Sequence, residues 1–162
     1  MSYPNPGLYD LSGIHIPVDA FVVIVRTEWN ATAVEKLEQG CIRILDAYHV
    51  RHISMVVPGA FEIPFAIKTF WQTNQNNKER PHAFIALGCV LRGDTPHFEY
   101  VCLAVTEGIL HLNLNLPVPS IFGILTVNEQ QQIDDRTGGI HGNKGEEAAV
   151  TALKMIALVT NL

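Results

Sequence analysis

Short apolar runs alternate with stretches of helical periodicity along most of the chain. The first run, Phe21–Val25, is wholly apolar and rich in β-branched residues. That composition is typical of a strand buried on both faces of a parallel sheet. Three later runs predict further strands: Ile53–Val57, Ala83–Cys89 and Ser120–Leu125.

Apolar residues at helical spacing separate these four strands. Thr32 and Glu35 form a candidate capping box for the first helix, and Gly40 within that helix is expected to face a closely packed neighbour. The other predicted helices are 62–73, 97–112, a short one near 128–135, and 146–160. The alternation predicts an α/β fold, with a parallel sheet covered by helices on both faces and ligands bound beyond the carboxyl ends of the strands.

A length of 162 residues favours a single domain, which we place at residues 18–162. Residues 1–17 are rich in proline and glycine and predict an extended arm that packs on a neighbouring subunit. The charged fraction of 17% is low, and it favours a homo-oligomer that hides part of the surface.

The net charge of −5 argues against nucleic acid and anionic membranes as partners. No apolar run approaches the ~20 residues that span a bilayer, and no secretory signal opens the chain, so a cytoplasmic location is expected. The three cysteines, Cys41, Cys89 and Cys102, are predicted to be free, buried thiols in a reducing compartment. His49 and His52 lack further ligands nearby in sequence, so no metal site is predicted.

The loop after the first strand lacks the glycine pattern of a dinucleotide fold, which counts against NAD and FAD. It contains Trp29, which either caps the core or stacks on a planar ligand. The next loop, Val57–Pro64, brings backbone amides and the carboxylate of Glu62 to a helix start. Glu62 either complements the helix dipole or binds a polyhydroxy ligand.

The loop after the third strand, Gly88–Glu99, predicts a phosphate site, because it leads through glycine into a helix N-terminus. His97 there is a candidate for proton transfer; the alternative is a partly buried histidine bonded to backbone. The charge of Asp94 opposes a phosphate, so its side chain must point away or Arg136 must compensate. Arg136 is a candidate phosphate clamp, although it and Lys144 could equally be solvated surface charges.

Four segments together resemble the lumazine synthase family: Val57–Pro64, Gly88–Tyr100, Phe122–Val127 and Gly142–Ala149. The resemblance runs in order from about Val22 to the C-terminus. It implies a flavodoxin-like three-layer α/β/α fold with a four-stranded parallel sheet. It also implies a transferase of riboflavin biosynthesis that condenses amino-ribitylamino-uracil with dihydroxybutanone phosphate, needs no metal or organic cofactor, and forms pentamers or icosahedral shells of pentamers.

The resemblance also implies a role for individual residues. His97 would transfer protons, Trp29 would stack on the substrate, and Phe122 would reach the site from a neighbouring subunit. Contacts to the ribityl chain and pyrimidine would come from Ala60, Phe61, Glu62, Cys89, Val90 and Leu91. Phosphate contacts would come from Asp94, Thr95 and Arg136, with Lys144 and Glu147 nearby.

Two other functions are compatible with the same fold. A non-catalytic shell protein would bind flavin or lumazine, and a riboflavin synthase would join two lumazines without a phosphorylated substrate. A pure binder needs neither His97 nor Arg136, and the amide-rich turn 93–95 favours a phosphorylated substrate. The enzyme interpretation is therefore preferred.

Overall fold

The computed structural model describes residues 6–78 and 80–162. Its main sheet has four parallel strands in the spatial order β2-β1-β3-β4. The strands are β1 (Phe21–Thr27), β2 (Arg51–Val57), β3 (Ala83–Leu91) and β4 (Ser120–Val127). The predicted four-stranded parallel sheet is confirmed, with β1 and β3 at its centre and β2 and β4 at its edges.

Helices cover both faces of the sheet and complete three layers. They are α1 (Ala31–Ala47), α2 (Ile63–Asn74), α3 (His97–Asn115), α4 (Gln130–Arg136) and α5 (Lys144–Thr160). Side chains that alternate along β1 enter two separate cores: Ile24 packs with α1 and α5, and Val23 packs with α2 and α3. This alternation explains the continuous apolar runs, since both faces of a central strand need apolar side chains.

The start of α1 differs from the predicted capping box. The helix begins at Ala31, and the residue before it, Asn30, has a left-handed backbone with φ 58° and ψ 41°. Thr32 therefore lies inside the first turn and cannot cap it, so the prediction for Thr32 and Glu35 was wrong. Asparagine is one of the few residues that adopt this conformation readily. The Asn30 side chain is directed across the sheet edge, where it donates a hydrogen bond to the carbonyl oxygen of Cys89 at 2.8 Å.

Helices α1 and α5 approach each other at two glycines. Gly40 of α1 faces the side chain of Asn143, and a Cβ added at Gly40 would overlap it. The close neighbour predicted for Gly40 is thereby confirmed. Asn143 in turn caps α5 by accepting from the amides of Gly145 and Glu146, and it donates to the carbonyl of Lys36. Gly145 lies directly against the backbone carbonyl of Leu37.

Replacing Gly145 with alanine should destabilise the fold. Helix propensity alone favours alanine by about 1 kcal/mol, but an added Cβ would overlap the Leu37 carbonyl oxygen, which belongs to backbone and cannot rotate away. Overpacking of this kind costs roughly 1–3 kcal/mol. Urea unfolding of Gly145→Ala should give a lower midpoint than the unmodified chain. Gly93→Ala is the matched control, because a Cβ at Gly93 meets nothing within 4 Å.

The described part of the N-terminal arm lies against the same chain. A short 3-10 helix, Pro6–Tyr9, contacts α5, and Leu11 is buried in the core that α1 and α5 form. Lys154 of α5 donates to the carbonyl of Gly7 at 3.3 Å. Residues 1–5, which also belong to the predicted arm, lie outside the described residues.

A small hairpin of β5 (Thr137–Gly139) and β6 (Gly142–Asn143) precedes α5. The prediction of three buried thiols is refined. Cys41, Cys89 and Cys102 are free thiols; the first two are buried, whereas Cys102 is only half-buried. Among residues 6–78 and 80–162, no helix has the length and apolar character needed to cross a membrane.

Candidate active site

The carboxyl ends of β1 and β3 meet at the point where the strand order reverses. The chain passes from β1 outward to β2 and then returns to β3 on the other side of β1. Such a reversal opens a crevice in which α/β proteins bind ligands. The hydrogen bond from Asn30 to the Cys89 carbonyl joins the two strand ends at this crevice. Sequence analysis did not single out Asn30, because its partner Cys89 is 59 residues away in sequence.

Trp29, Gly59 and Glu62 converge beside this crevice. A Cβ added at Gly59 would lie 3.1 Å from Glu62 Oε2 and 3.6 Å from Trp29 Cδ1. The Trp29 amide donates to the Pro58 carbonyl at 3.3 Å, which ties the loop after β1 to the loop after β2. Trp29 is 74% exposed, so it does not cap the core of its own subunit. An aromatic face and a carboxylate are therefore presented to solvent side by side.

The end of β3 supplies backbone groups more than reactive side chains. Val90 and Leu91 pack against opposite cores, on the two faces of the sheet. Burial raises the pKa of the Cys89 thiol to about 11, so this thiol remains protonated at neutral pH. Next to this strand end, Ala60 is buried and Phe61 is exposed in a 3-10 helix, Ala60–Glu62, that leads into α2.

The turn between β3 and α3 is exposed along its length. Gly93, Asp94, Thr95 and Pro96 are all exposed, and His97 is the first residue of α3. His97 is itself exposed, so the alternative of a partly buried structural histidine was wrong. The first amides of a helix have no partner within the helix and favour anions, as the phosphate hypothesis requires. We call Trp29, Gly59, Glu62 and residues 89–97 the loop cluster.

A second group of predicted residues lies elsewhere on the subunit. Phe122, Arg136, Lys144 and Glu147 line one groove of about 1000 Å³ that runs beside the edge strand β4 and α5. Lys144 Nζ and Glu147 Oε1 form an ion pair at 2.6 Å, and both side chains are largely buried. Arg136 Nη1 donates to the Gln132 carbonyl at 3.1 Å. We call these four residues the β4 cluster.

The two clusters do not line the same groove of a single chain. No residue of the loop cluster is among the described residues that line the β4 groove. The sequence-based expectation that Arg136 and the turn 93–95 bind one phosphate stays a prediction.

The remaining histidines and acidic residues do not assemble a metal site within the described part of the chain. His52 Nδ1 lies 3.1 Å from the Val50 carbonyl oxygen and 3.9 Å from a carboxylate oxygen of Asp46. His49 has a positive φ of 55° where the chain leaves α1. Across residues 6–78 and 80–162, no three histidine, cysteine or acidic side chains are close enough to hold a metal ion.

The fold and the loop cluster define a class: small α/β proteins that bind a ligand at the switch point of a parallel sheet. Residues 19–160 match the family model described as 6,7-dimethyl-8-ribityllumazine synthase. The chain belongs to this family.

Curated relatives of the same description cover nearly the whole chain. The protein of Parabacteroides distasonis is 45% identical over 158 residues, 96% of each chain. That of Porphyromonas gingivalis is 43% identical over 160 residues, which cover 97% of this chain and 96% of the relative. The protein of Bacteroides fragilis is 40% identical over 142 residues, covering 86% of this chain and 96% of the relative. All three are named 6,7-dimethyl-8-ribityllumazine synthase.

Proposed function

We propose that this chain condenses 5-amino-6-(D-ribitylamino)uracil with 3,4-dihydroxy-2-butanone 4-phosphate to give 6,7-dimethyl-8-ribityllumazine, a transferase step of riboflavin biosynthesis. The observation that carries the proposal is His97 at the start of α3, next to the exposed amides of the turn 93–95. Family membership over residues 19–160 names the reaction that such an arrangement would serve.

The chemistry needs orientation and proton transfer more than a strong nucleophile. An amine attacks a ketone and water leaves, phosphate is eliminated, and the ring closes with loss of a second water, so protons move at each stage. Histidine suits this task because its charge changes near neutral pH. Trp29 would stack on the planar uracil, while Glu62 and the neighbouring amides of Ala60 and Phe61 would bind the ribityl hydroxyls. Orientation of two substrates can itself supply several kcal/mol of the barrier.

The direct test is incubation of the purified protein with both substrates. We expect lumazine fluorescence to appear together with one equivalent of inorganic phosphate. Binding of lumazine or flavin without phosphate release would support the non-catalytic alternative. Consumption of lumazine to riboflavin would instead identify a riboflavin synthase.

We further propose that each complete site combines the loop cluster of one copy with the β4 cluster of the next. Phe122 is 42% exposed on an edge strand, although it lies in an apolar run. The loop cluster is not among the described residues that line the β4 groove. A contact between the loop cluster of one copy and the β4 cluster of the next is head-to-tail, and it generates a ring when the rotation closes. Five-membered rings, and icosahedral shells built from them, are what the family resemblance implies.

Exposed apolar side chains on the α2 and α3 side of the sheet support this assembly. A monomer rarely leaves so many large apolar side chains in water. They are Phe61, Phe65, Tyr100, Leu103, Leu110 and Leu114. Strand β2 is an edge strand among the described residues. We propose that in the assembly the N-terminal arm of a neighbouring copy gives up its contacts with its own α5 and adds to this edge. The free thiols agree with a cytoplasmic location, which we propose as well.

Arg136→Ala should mainly weaken the binding of the phosphorylated substrate. The guanidinium supplies charge-assisted hydrogen bonds, each worth roughly 1.5–3 kcal/mol, so the KM for the butanone phosphate should rise about 10-fold to 150-fold. The KM for the uracil substrate should change little in steady-state assays. Arg43→Ala is the control, because Arg43 pairs with Glu146 and neither residue lines the β4 groove. A raised KM for the uracil alone would reverse the assignment of the two subsites.

A further inference from the structure

The Arg92 side chain joins three segments at the edge of the loop cluster. Its Nε donates to Asn128 Oδ1 at 2.8 Å, just after β4. Its Nη1 donates to Glu99 Oε1 in the first turn of α3. Its guanidinium carbon lies 4.2 Å from the centre of the Phe98 ring, a cation–π distance. Because Phe98 and Glu99 directly follow His97, one side chain fixes the helix turn that carries the histidine.

The turn between Arg92 and α3 has few other contacts to define its shape. Residues 93–96 are exposed, and the space around Gly93 is open. The Arg92 amide donates to the Val127 carbonyl at 2.9 Å, which extends the pairing of β3 with β4 up to the turn. The turn is thus held mainly at its two ends, Arg92 and the start of α3. The Arg92 side chain connects the start of α3, through Glu99, to Asn128 at the end of β4.

The contacts of Arg92 continue into α4. The backbone amide of Asn128 donates to Gln132 Oε1 at 2.8 Å, and Arg136 Nη1 donates to the backbone carbonyl of Gln132 at 3.1 Å. Arg92 also holds the pKa of the Glu99 carboxyl below its usual value, through a hydrogen bond first and a charge interaction second. Glu99 is therefore ionised at neutral pH, and the pair with Arg92 is intact there.

We propose that Arg92 is a positioning residue for the reaction: it sets the direction of the first turn of α3, and with it the placement of His97 and of the amides 93–95 against the phosphorylated substrate. In this role Arg92 acts through Asn128 and the first turn of α3, and its guanidinium does not bind the substrate. The inference rests on the proposed function for its kinetic consequence, whereas its structural consequence can be measured without substrate.

Three variants test this role. Arg92→Gln removes the ion pair and the ring contact, Asn128→Ala removes one anchor, and Arg92→Lys keeps the charge but loses the planar fork. Misplacement by about 1 Å can cost on the order of 100-fold in rate. We expect Arg92→Gln and Asn128→Ala to lower kcat roughly 10-fold to 100-fold, and we expect Arg92→Lys to restore little of it. Arg43→Gln, which breaks an ion pair elsewhere, is the control.

A different pattern would overturn the proposal. If Arg92→Lys restores activity while Asn128→Ala leaves kcat unchanged, Arg92 contributes only its charge to phosphate binding. The loss of kcat in the double variant Arg92→Gln with Asn128→Ala should be little larger than in either single variant, because both changes break the same hydrogen bond between Arg92 and Asn128. Fully additive losses of kcat would show that Arg92 and Asn128 have independent roles and would contradict the proposal.

Hydrogen exchange separates this proposal from the proposed function. In Arg92→Gln, amides 99–103 should exchange faster than in the unmodified chain, while β1 and α5 keep their protection. Unchanged exchange at 99–103 would refute the positioning role even if activity falls. Absence of turnover in the unmodified protein would refute the proposed function, and the exchange result would still decide whether Arg92 orders the turn.

Discussion

His97→Ala is expected to lower kcat roughly 100-fold to 10,000-fold, the range that general acid–base catalysis contributes. The KM of each substrate should change far less, because stacking and phosphate contacts come from other residues. His97 is exposed at the start of α3, so its removal leaves no cavity and the urea midpoint should stay the same.

His111→Ala is the matched control for this variant. His111 is exposed on the same helix, fourteen residues further along the chain and outside both clusters. It should keep the kcat and pH profile of the unmodified protein. Turnover of His97→Ala at the unmodified rate across the pH range would assign proton transfer to another group.

The second large effect is the recovery of activity, assayed with butanone phosphate well below the KM of Arg136→Ala, when two impaired variants are mixed. His97→Ala damages only the loop cluster, and Arg136→Ala damages only the β4 cluster. If each site draws one cluster from each of two neighbours, random co-assembly leaves both clusters intact at about a quarter of the sites. Joint refolding of equal amounts should therefore restore about a quarter of the unmodified activity, well above either variant alone.

A second mixture controls for nonspecific rescue. His97→Ala and Glu62→Gln both damage the loop cluster, so every site built in their mixture carries one defect and activity should not recover. Equal recovery in the two mixtures would mean that something other than shared sites restores activity. No recovery in the first mixture, with co-assembly established by differently tagged chains, would place the whole site within one subunit.

Local pattern was sufficient to predict the layers of this fold. The run Phe21–Val25 is apolar throughout because its side chains enter two cores, and this signal needs no knowledge of distant residues. The meeting of the loops that follow the strands was likewise predictable, since parallel strands end at the same edge of a sheet. The candidates Trp29, Glu62 and His97 were chosen in this way, and their roles stay predictions.

Other features depend on contacts between residues distant in sequence. The Asn30 side chain bonds to a carbonyl 59 residues away, and nothing local distinguishes that use from a helix cap. Arg92 and Asn128 are 36 residues apart, so their hydrogen bond could not be predicted from sequence spacing. Arg136 lines the β4 groove and the turn 93–95 does not, a difference that appears only in the folded chain.

The segment Asn143–Glu147 has a consequence for mutational scanning. Asn143 caps α5 and Gly145 contacts the Leu37 backbone, whereas Lys144 and Glu147 form the ion pair in the β4 groove. A growth selection would score these neighbouring positions as equally intolerant. Abundance measurements would separate them, because substitutions at Asn143 and Gly145 should deplete the folded protein, whereas joint replacement of Lys144 and Glu147, which removes both charges together, should leave its amount nearly unchanged. Tolerance maps of this stretch therefore need both measurements before any position in it is interpreted as catalytic.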